Sequence, residues 1–429
     1  MTEQSDTSFR PLVCADLELT NPVAPAQIPD GAGLYLLVRD AGVPVGELTV
    51  EPDDVAAGPQ QWAQQAREDQ EKLSLPTSAT VELPAASPAL SAALAICTIG
   101  THPLLPSAVQ HLLEQQYDGD FHVVVVDNAP ATGNTRAALA GIDDARLKIV
   151  DQPNPGLSFA RNAALAEAVA LGSELLFYTD DDALADPHWL SSKAAVFAQD
   201  PDVHCVTGLV VPGSLATHAE QMFEEGSGFN KGYVRTVWSR ADDSSSVWKL
   251  GARGDGGPLF PFAAGAFGSG NSTSFRVSAL TELNGFDPAL GAGTLTKGGE
   301  DLDIFVRVLM SDGTIVYEPR AVIRHFHRDT MEELAKQMVG YGSGLSAFLF
   351  RELLFLPGSR VALLRAVPKG IKRMLDPESE KNENRTADYP AELAKAERGG
   401  FVRGPWLYLK ARRRARALST VKDVARLTP

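Results

Sequence analysis

Five short apolar runs, at residues 94–99, 121–126, 147–150, 175–179 and 203–211, most constrain what this chain can fold into. They are mainly apolar and rich in β-branched residues, the composition of strands buried on both faces. The intervening segments 102–117, 157–171 and 187–200 carry apolar residues at helical spacing. Strand, helix, strand at this pitch predicts right-handed crossovers and an α/β, mostly parallel sheet with helices on both faces. Ligands of such sheets bind beyond the carboxyl ends of the strands. That rule sets Thr98, Asp127 and the triplet Asp180, Asp181, Asp182 on one rim.

The triplet is electrostatically costly. Three adjacent carboxylates push one another toward protonation unless a cation compensates them, and a hard divalent ion with oxygen ligands does so. Alone, the triplet reads first as a solvated loop or as the cap of the helix that starts near Pro187.

Around this region the chain divides by character. Residues 1–82 read as a small strand-rich module, with strands at 33–39 and 45–50 about a turn at 40–44. A Pro, Ala and Ser-rich linker is expected at 83–91, a catalytic domain over 92–330, and a helical C-terminal extension over 331–429. Within the middle part, 212–270 reads as a Gly-rich polar insert, 275–284 and 300–310 as helices, and 314–318 as a strand ended by Pro319. Helices are expected at 331–355 and 360–375, then an acidic stretch at 376–388. Residues 401–429 hold eight Lys or Arg and one acid, Asp423. That basic tail fits either a solvated helix or a peripheral contact with an anionic membrane face.

With a net charge of -15 the chain is not built for nucleic acid. Cys14, Cys97 and Cys205 lie in no metal-ligand spacing. No apolar stretch is long enough to span a bilayer, and the N-terminus lacks the apolar core of a secretory signal. The expected location is cytoplasmic, with peripheral association at the inner membrane face as an extension.

Several motifs stand in order: VVVVDN at 123–128, NPGLSFARN at 154–162, FYTDDDALADPHWL at 177–190, GEDLDIFVRVL at 299–309, then YEP and HFH. Their order and spacing resemble family 2 glycosyltransferases across residues 92–328. The resemblance implies a GT-A, Rossmann-like fold and a hexosyltransferase-like activity with inversion at the anomeric carbon. It also implies a nucleoside-diphosphate sugar donor, expected as a UDP-sugar, an acceptor hydroxyl, and Mn2+ or Mg2+ as cofactor. The chemistry agrees: breaking a sugar–diphosphate bond leaves negative charge on the phosphate, which oriented cations stabilise.

By the same resemblance, Asp180 and Asp182 take the outer positions of a DxD motif and hold the metal, Asp182 directly. His325, with His327 as fallback, completes its shell. Asp127, Asn128, Thr98, Arg161, Asp180 and Asp181 fall on the donor side; the usual second acid is replaced here by Asn128. Asp301 matches the general base that an acceptor hydroxyl requires, and Glu300 beside it orients the acceptor. Gly270 and Asn271, in the run GAFGSGN, resemble the acceptor-side loop. In isolation Glu300, Asp301 and Asp303 read first as the acidic complement of a helix dipole. Two other classes stay open: a sugar-nucleotide binding or scaffolding protein without turnover, and a nucleotidyltransferase. The second usually has a basic phosphate loop after the first strand, and residues 97–102 contain no Lys or Arg.

Overall fold

The computed structural model describes residues 9–73, 89–255, 257–355, 360–375 and 390–418. Residues 83–88 of the expected linker, the acidic stretch 376–388 and the tail beyond 418 lie outside the described residues.

At the N-terminus, β1 (Leu12–Glu18), β2 (Gly33–Asp40) and β3 (Val43–Val50) form a three-stranded sheet backed by α1 (Pro59–Leu73). The β2–β3 hairpin turns at Ala41 and Gly42, both at positive φ, the geometry that matches strand twist. Unlike the two strands read from the sequence, there are three, because β1 adds in parallel to β2. Leu34, Leu36 and Val38 pack against Trp62 of α1, while Leu37 on the other face enters the main core. Two ion pairs, Arg39–Asp186 at 2.7 Å and Arg324–Asp16 at 2.9 Å, tie this sheet to the rest of the chain.

The central part runs β4 (Ala92–Thr98), α2 (Leu105–Leu113), β5 (Phe121–Asp127), α3 (Asn134–Ala138), β6 (Leu147–Asp151), α4 (Leu157–Ala170) and β7 (Leu175–Thr179). It continues through β8 (Ala183–Ala185), α5 (Trp189–Gln199), β9 (Val203–Pro212), α6 (His218–Ser227), β10 (Thr236–Trp238) and β11 (Ala252–Arg253). β12 (Thr273–Arg276), α7 (Val277–Glu282), α8 (Glu300–Met310) and β13 (Thr314–His325) complete it. The sheet order is β11-β10-β13-β9-β12-β7-β4-β5-β6, with β8 beside β13. β7, β4, β5 and β6 are mutually parallel, as are β9 and β13. Alternate residues feed two cores: Ala93, Ala95, Val124 and Val126 face α4, and Leu94, Ile96, Val123 and Val125 face α2. Each such fully buried Val or Leu contributes about 1.5–3 kcal/mol, which makes this sheet a rigid base for the rim.

Three expectations fail, each for a physical reason. The helix expected from 275 starts only at Val277; Thr273–Arg276 is instead an antiparallel strand wedged between β7 and β9. A buried slot between two strands is filled by ladder hydrogen bonds, which helical propensity cannot supply. Next, Pro319 does not end β13, because a register irregularity between Glu318 and Ile323 absorbs it. Finally, the insert at 212–270 contains α6, which begins at a capping box between Thr217 and Glu220.

The C-terminal part is helical: α9 (Met331–Phe355), α10 (Arg360–Leu375) and α11 (Ala391–Leu418). Among the described residues no helix is long and apolar enough to cross a membrane. α9 and α11 approach closely through glycines, since a Cβ on Gly342 would lie 1.8 Å from the Glu397 carbonyl and one on Gly404 1.9 Å from Ser346 Oγ.

Candidate active site

β4, β5 and β7 end side by side, and their register sets Thr98 opposite Asp127. Asp180 to Asp182 follow directly on β7. The chain then enters β8, which pairs antiparallel with the end of β13 so that Ala183 faces His325. This three-residue strand is the device that carries Asp182 to the histidine: Phe326 N–H donates to the Asp182 carbonyl at 2.9 Å, and His325 Nε2 stands 3.3 Å from Asp182 Oδ1.

Asp180, Asp182 and His325 offer three ligand atoms within 4.8 Å of one another. Asp182 Oδ1 is buried and accepts no hydrogen bond. Such an orphaned oxygen beside a second carboxylate and an imidazole fits a divalent cation. The electrostatics agree. Burial and the charge of Asp182 raise the pKa of Asp180; burial also works against ionisation of Asp182, but the His325 beside it keeps that carboxyl below its ordinary range. Asp181 turns the other way, toward the Thr98 hydroxyl, with which it hydrogen-bonds, and burial raises it.

His325 and His327 are not interchangeable. Glu224 of α6 lies 2.5 Å from His327 Nε2, and the two Nδ1 atoms of His325 and His327 are 3.0 Å apart. Burial lowers the pKa of His327, favouring the neutral ring. A carboxylate only accepts, so the Nε2–H of that neutral ring donates to Glu224 and leaves its Nδ1 as an acceptor. His325 must then donate from Nδ1, which directs its Nε2 toward Asp182 as the ligand atom. Phe223 overlies His327 at 4.3 Å and Phe229 meets His325 edge-on at 5.3 Å, fixing both rings.

Arg161 of α4 is 2% exposed and joins the two halves of the site. It lies 4.0 Å from Asp180 and 3.4 Å from Glu300, and donates to the Gly270 carbonyl at 3.1 Å. The rings of Tyr178 and Phe286 flank its guanidinium. Glu300 and Asp301 open α8 after Gly299, which sits at φ 90 against the Gly344 carbonyl. Burial, with the charge of Asp301 added, raises the pKa of Glu300 despite Arg161. The Asp301 carboxylate accepts from Leu302 N–H at 2.8 Å and Gly270 N–H at 3.2 Å. Asp303 turns inward to Arg307 and Arg351 and is a structural ion-pair member. Asn271 is buried with neither amide atom hydrogen-bonded.

Arg161, Asp180, Asp182, Glu224, Gly270, Asn271, Glu300, Asp301 and His325 line one cleft of about 2070 Å³, whereas Thr98, Asp127, Asn128, Asp181, Asp303 and His327 lie outside its lining. Asp127 is fully buried at the rim; its Oδ1 accepts from Ala129 N–H at 3.0 Å, and Oδ2 is 3.6 Å from Arg136. Asn128 is turned toward the loop before α4. Its Nδ2 donates to the carbonyls of Gln152 and Asn154 at 2.8 and 2.7 Å, and its Oδ1 accepts from Gly156 N–H at 2.9 Å. Both amide hydrogens clamp the loop before α4, which leaves no side-chain donor for a base edge. Glu224 was missed by sequence reasoning; the Thr217-to-Glu220 capping box was the signal that could have found its helix.

Carboxylates at the carboxyl ends of the parallel strands stand where α/β sheets bind their ligands. The chain matches, over residues 94–246, the family described as Glycosyl transferase family 2. It is 24% identical over 243 residues to the glucosyl-dolichyl phosphate glucuronosyltransferase of Haloferax volcanii, covering 55% of this chain and 69% of the relative. A pre-mycofactocin glycosyltransferase of Mycobacterium tuberculosis is also 24% identical, over 262 residues, covering 59% of this chain and 49% of the relative. The chain thus spans about half the length of that mycobacterial relative. Among solved structures, a mannosyltransferase from Pyrobaculum calidifontis in complex with GDP-Man and Mn2+ aligns with a TM-score of 0.42 at 18% identity, covering 84% of each chain.

Proposed function

We propose that this chain transfers a sugar from a nucleoside-diphosphate donor, a UDP-sugar, to an acceptor hydroxyl with inversion. The observation that carries the reading is the cluster Asp180, Asp182 and His325 opening into the same cleft as the Asp301 carboxylate. Asp182 and His325, with Asp180, would hold Mn2+ or Mg2+, which supplies Lewis-acid stabilisation of the diphosphate. Asp127 accepts from the base, and Thr98 fixes Asp181 at the donor rim. Arg161 is the positive charge that this chain itself keeps beside the departing group, and its burial makes that charge strong.

Across the cleft, Asp301 takes the proton of the acceptor hydroxyl as attack proceeds. Its two backbone hydrogen bonds aim the carboxylate. Glu300, drawn toward Arg161, orients the acceptor together with Gly270 and Asn271. The domain boundaries proposed are 92–330 for catalysis, flanked by the strand module and the helical extension. A cytoplasmic enzyme working at the inner membrane face, on a lipid-linked or envelope glycan acceptor, is consistent with the basic tail.

The test is incubation of the full chain with a panel of nucleotide sugars and Mn2+ or Mg2+. One donor should release nucleoside diphosphate, and chelation should stop the release. Metal-dependent nucleotide binding with no turnover on any donor would reduce the chain to a binding protein.

A further inference from the structure

The outer face of α11 carries a pattern that sugar transfer does not use. α9 and α11 run side by side in the same direction, with Gly342 against Glu397, Ser346 against Gly404, Phe350 against Tyr408 and Phe355 against Arg412. That contact buries Gly400, Gly404, Tyr408 and Ala411 and turns the opposite side of α11 outward. At about 100° per residue, Val402, Trp406 and Leu409 fall in one stripe about 60° wide on that outward side. They are 81%, 58% and 42% exposed. Arg403, Lys410, Arg413, Arg414 and Arg416 are exposed on the same turns, and no acid occurs between Glu397 and Asp423. In a chain of net charge -15 this is a strong local reversal of sign.

We propose that this face of α11 docks on the headgroup layer of an anionic bilayer. Trp406, Val402 and Leu409 enter the interface, and the arginines and Lys410 pair with lipid phosphates from both flanks of the stripe. A polyanion such as nucleic acid would reward the cations but leave Val402 and Leu409 in water; a bilayer removes both costs. Lys410 Nζ already lies 3.6 Å over the Trp406 ring, so charge and aromatic surface present together.

Docking there has a consequence for the acceptor, which rests on the transferase reading above. Phe401, one residue before the stripe, lines the cleft with Leu345, Leu349 and Leu363. These apolar residues of α9, α10 and α11 share the cleft with Asp301. The acceptor class that fits is an amphiphile, its hydroxyl-bearing head at Asp301 and its aliphatic part against these residues.

Sedimentation of the full chain with vesicles tests the docking. Vesicles of phosphatidylcholine mixed with phosphatidylglycerol should pellet the protein, pure phosphatidylcholine should not, and added salt should weaken the association. The triple variant Arg413→Gln, Arg414→Gln, Arg416→Gln should lose about tenfold or more in partitioning, and Trp406→Ala should also lose affinity, both with unchanged melting temperature and donor binding. Equal binding to neutral vesicles, no pelleting of the wild type, wild-type partitioning of the triple variant, or capture by duplex DNA in place of vesicles would overturn the proposal. Failure to pellet with glycosyl transfer intact sinks docking alone; pelleting with no transfer from any donor sinks the transferase reading alone.

Discussion

At the scale of single residues, the site is organised by what each polar atom has left to offer. Asn128 has no amide hydrogen left, since both of its Nδ2 donors hold the loop before α4. Asp182 Oδ1, by contrast, is buried and accepts no hydrogen bond, with His325 Nε2 3.3 Å away. His325 owes its direction to a neighbour 103 residues from His327 in sequence, Glu224. Glu224→Ala should therefore release the tautomer and weaken Mn2+ binding about 10–100-fold, read by electron paramagnetic resonance of free Mn2+. Glu224→Gln keeps an oxygen that accepts from His327 and should retain most of the affinity. Wild-type affinity in the alanine variant would show that His325 needs no such support.

At the scale of elements, glycine placement decides how the C-terminal helices hold the site. Gly344 packs on Gly298 and Gly299, the turn that presents Glu300 and Asp301, so α9 is a buttress for the acceptor side. Gly342→Ala would force a Cβ to within 1.8 Å of the Glu397 carbonyl and should cost at least about 1–3 kcal/mol in denaturant unfolding. Gly399→Ala, in the same helix pair but with nothing within 4 Å of its Cβ, should instead stabilise by about 0.5–1 kcal/mol. Equal effects of the two changes would refute the close-packing account. Periodicity made the long elements legible, because β4, β5, β7 and α9 are specified by residues within each segment. β12 and β8 were not legible: a three- or four-residue strand is defined by the partners waiting on either side, and those lie far away in sequence. The same reason hid α6, although its capping box is local and readable.

At the scale of the whole molecule, a rigid sheet brings two carboxylate groups from distant parts of the chain into one cleft. The rim residues Thr98, Asp127 and Asp180 could be anticipated because strand ends converge in a parallel sheet. Arg161 as a bridge between Asp180 and Glu300 could not, since it depends on how α4 packs beneath the loop at Gly270. The N-terminal sheet also proved part of the assembly: Tyr35 and Glu47 reach the cleft wall, where Glu47 accepts from Tyr233 at 2.9 Å and Asn230 at 3.0 Å.

The central claim is a division of labour, with Asp182 and His325 on the donor side and Asp301 acting on the acceptor. Its most direct test is Asp301→Asn, measured in parallel for donor binding by calorimetry in Mn2+ and for transfer rate. The account predicts donor affinity within about twofold of wild type and a transfer rate lower by about 10²–10⁴. Full transfer activity in that variant, or loss of donor binding equal to the loss of rate, would contradict it.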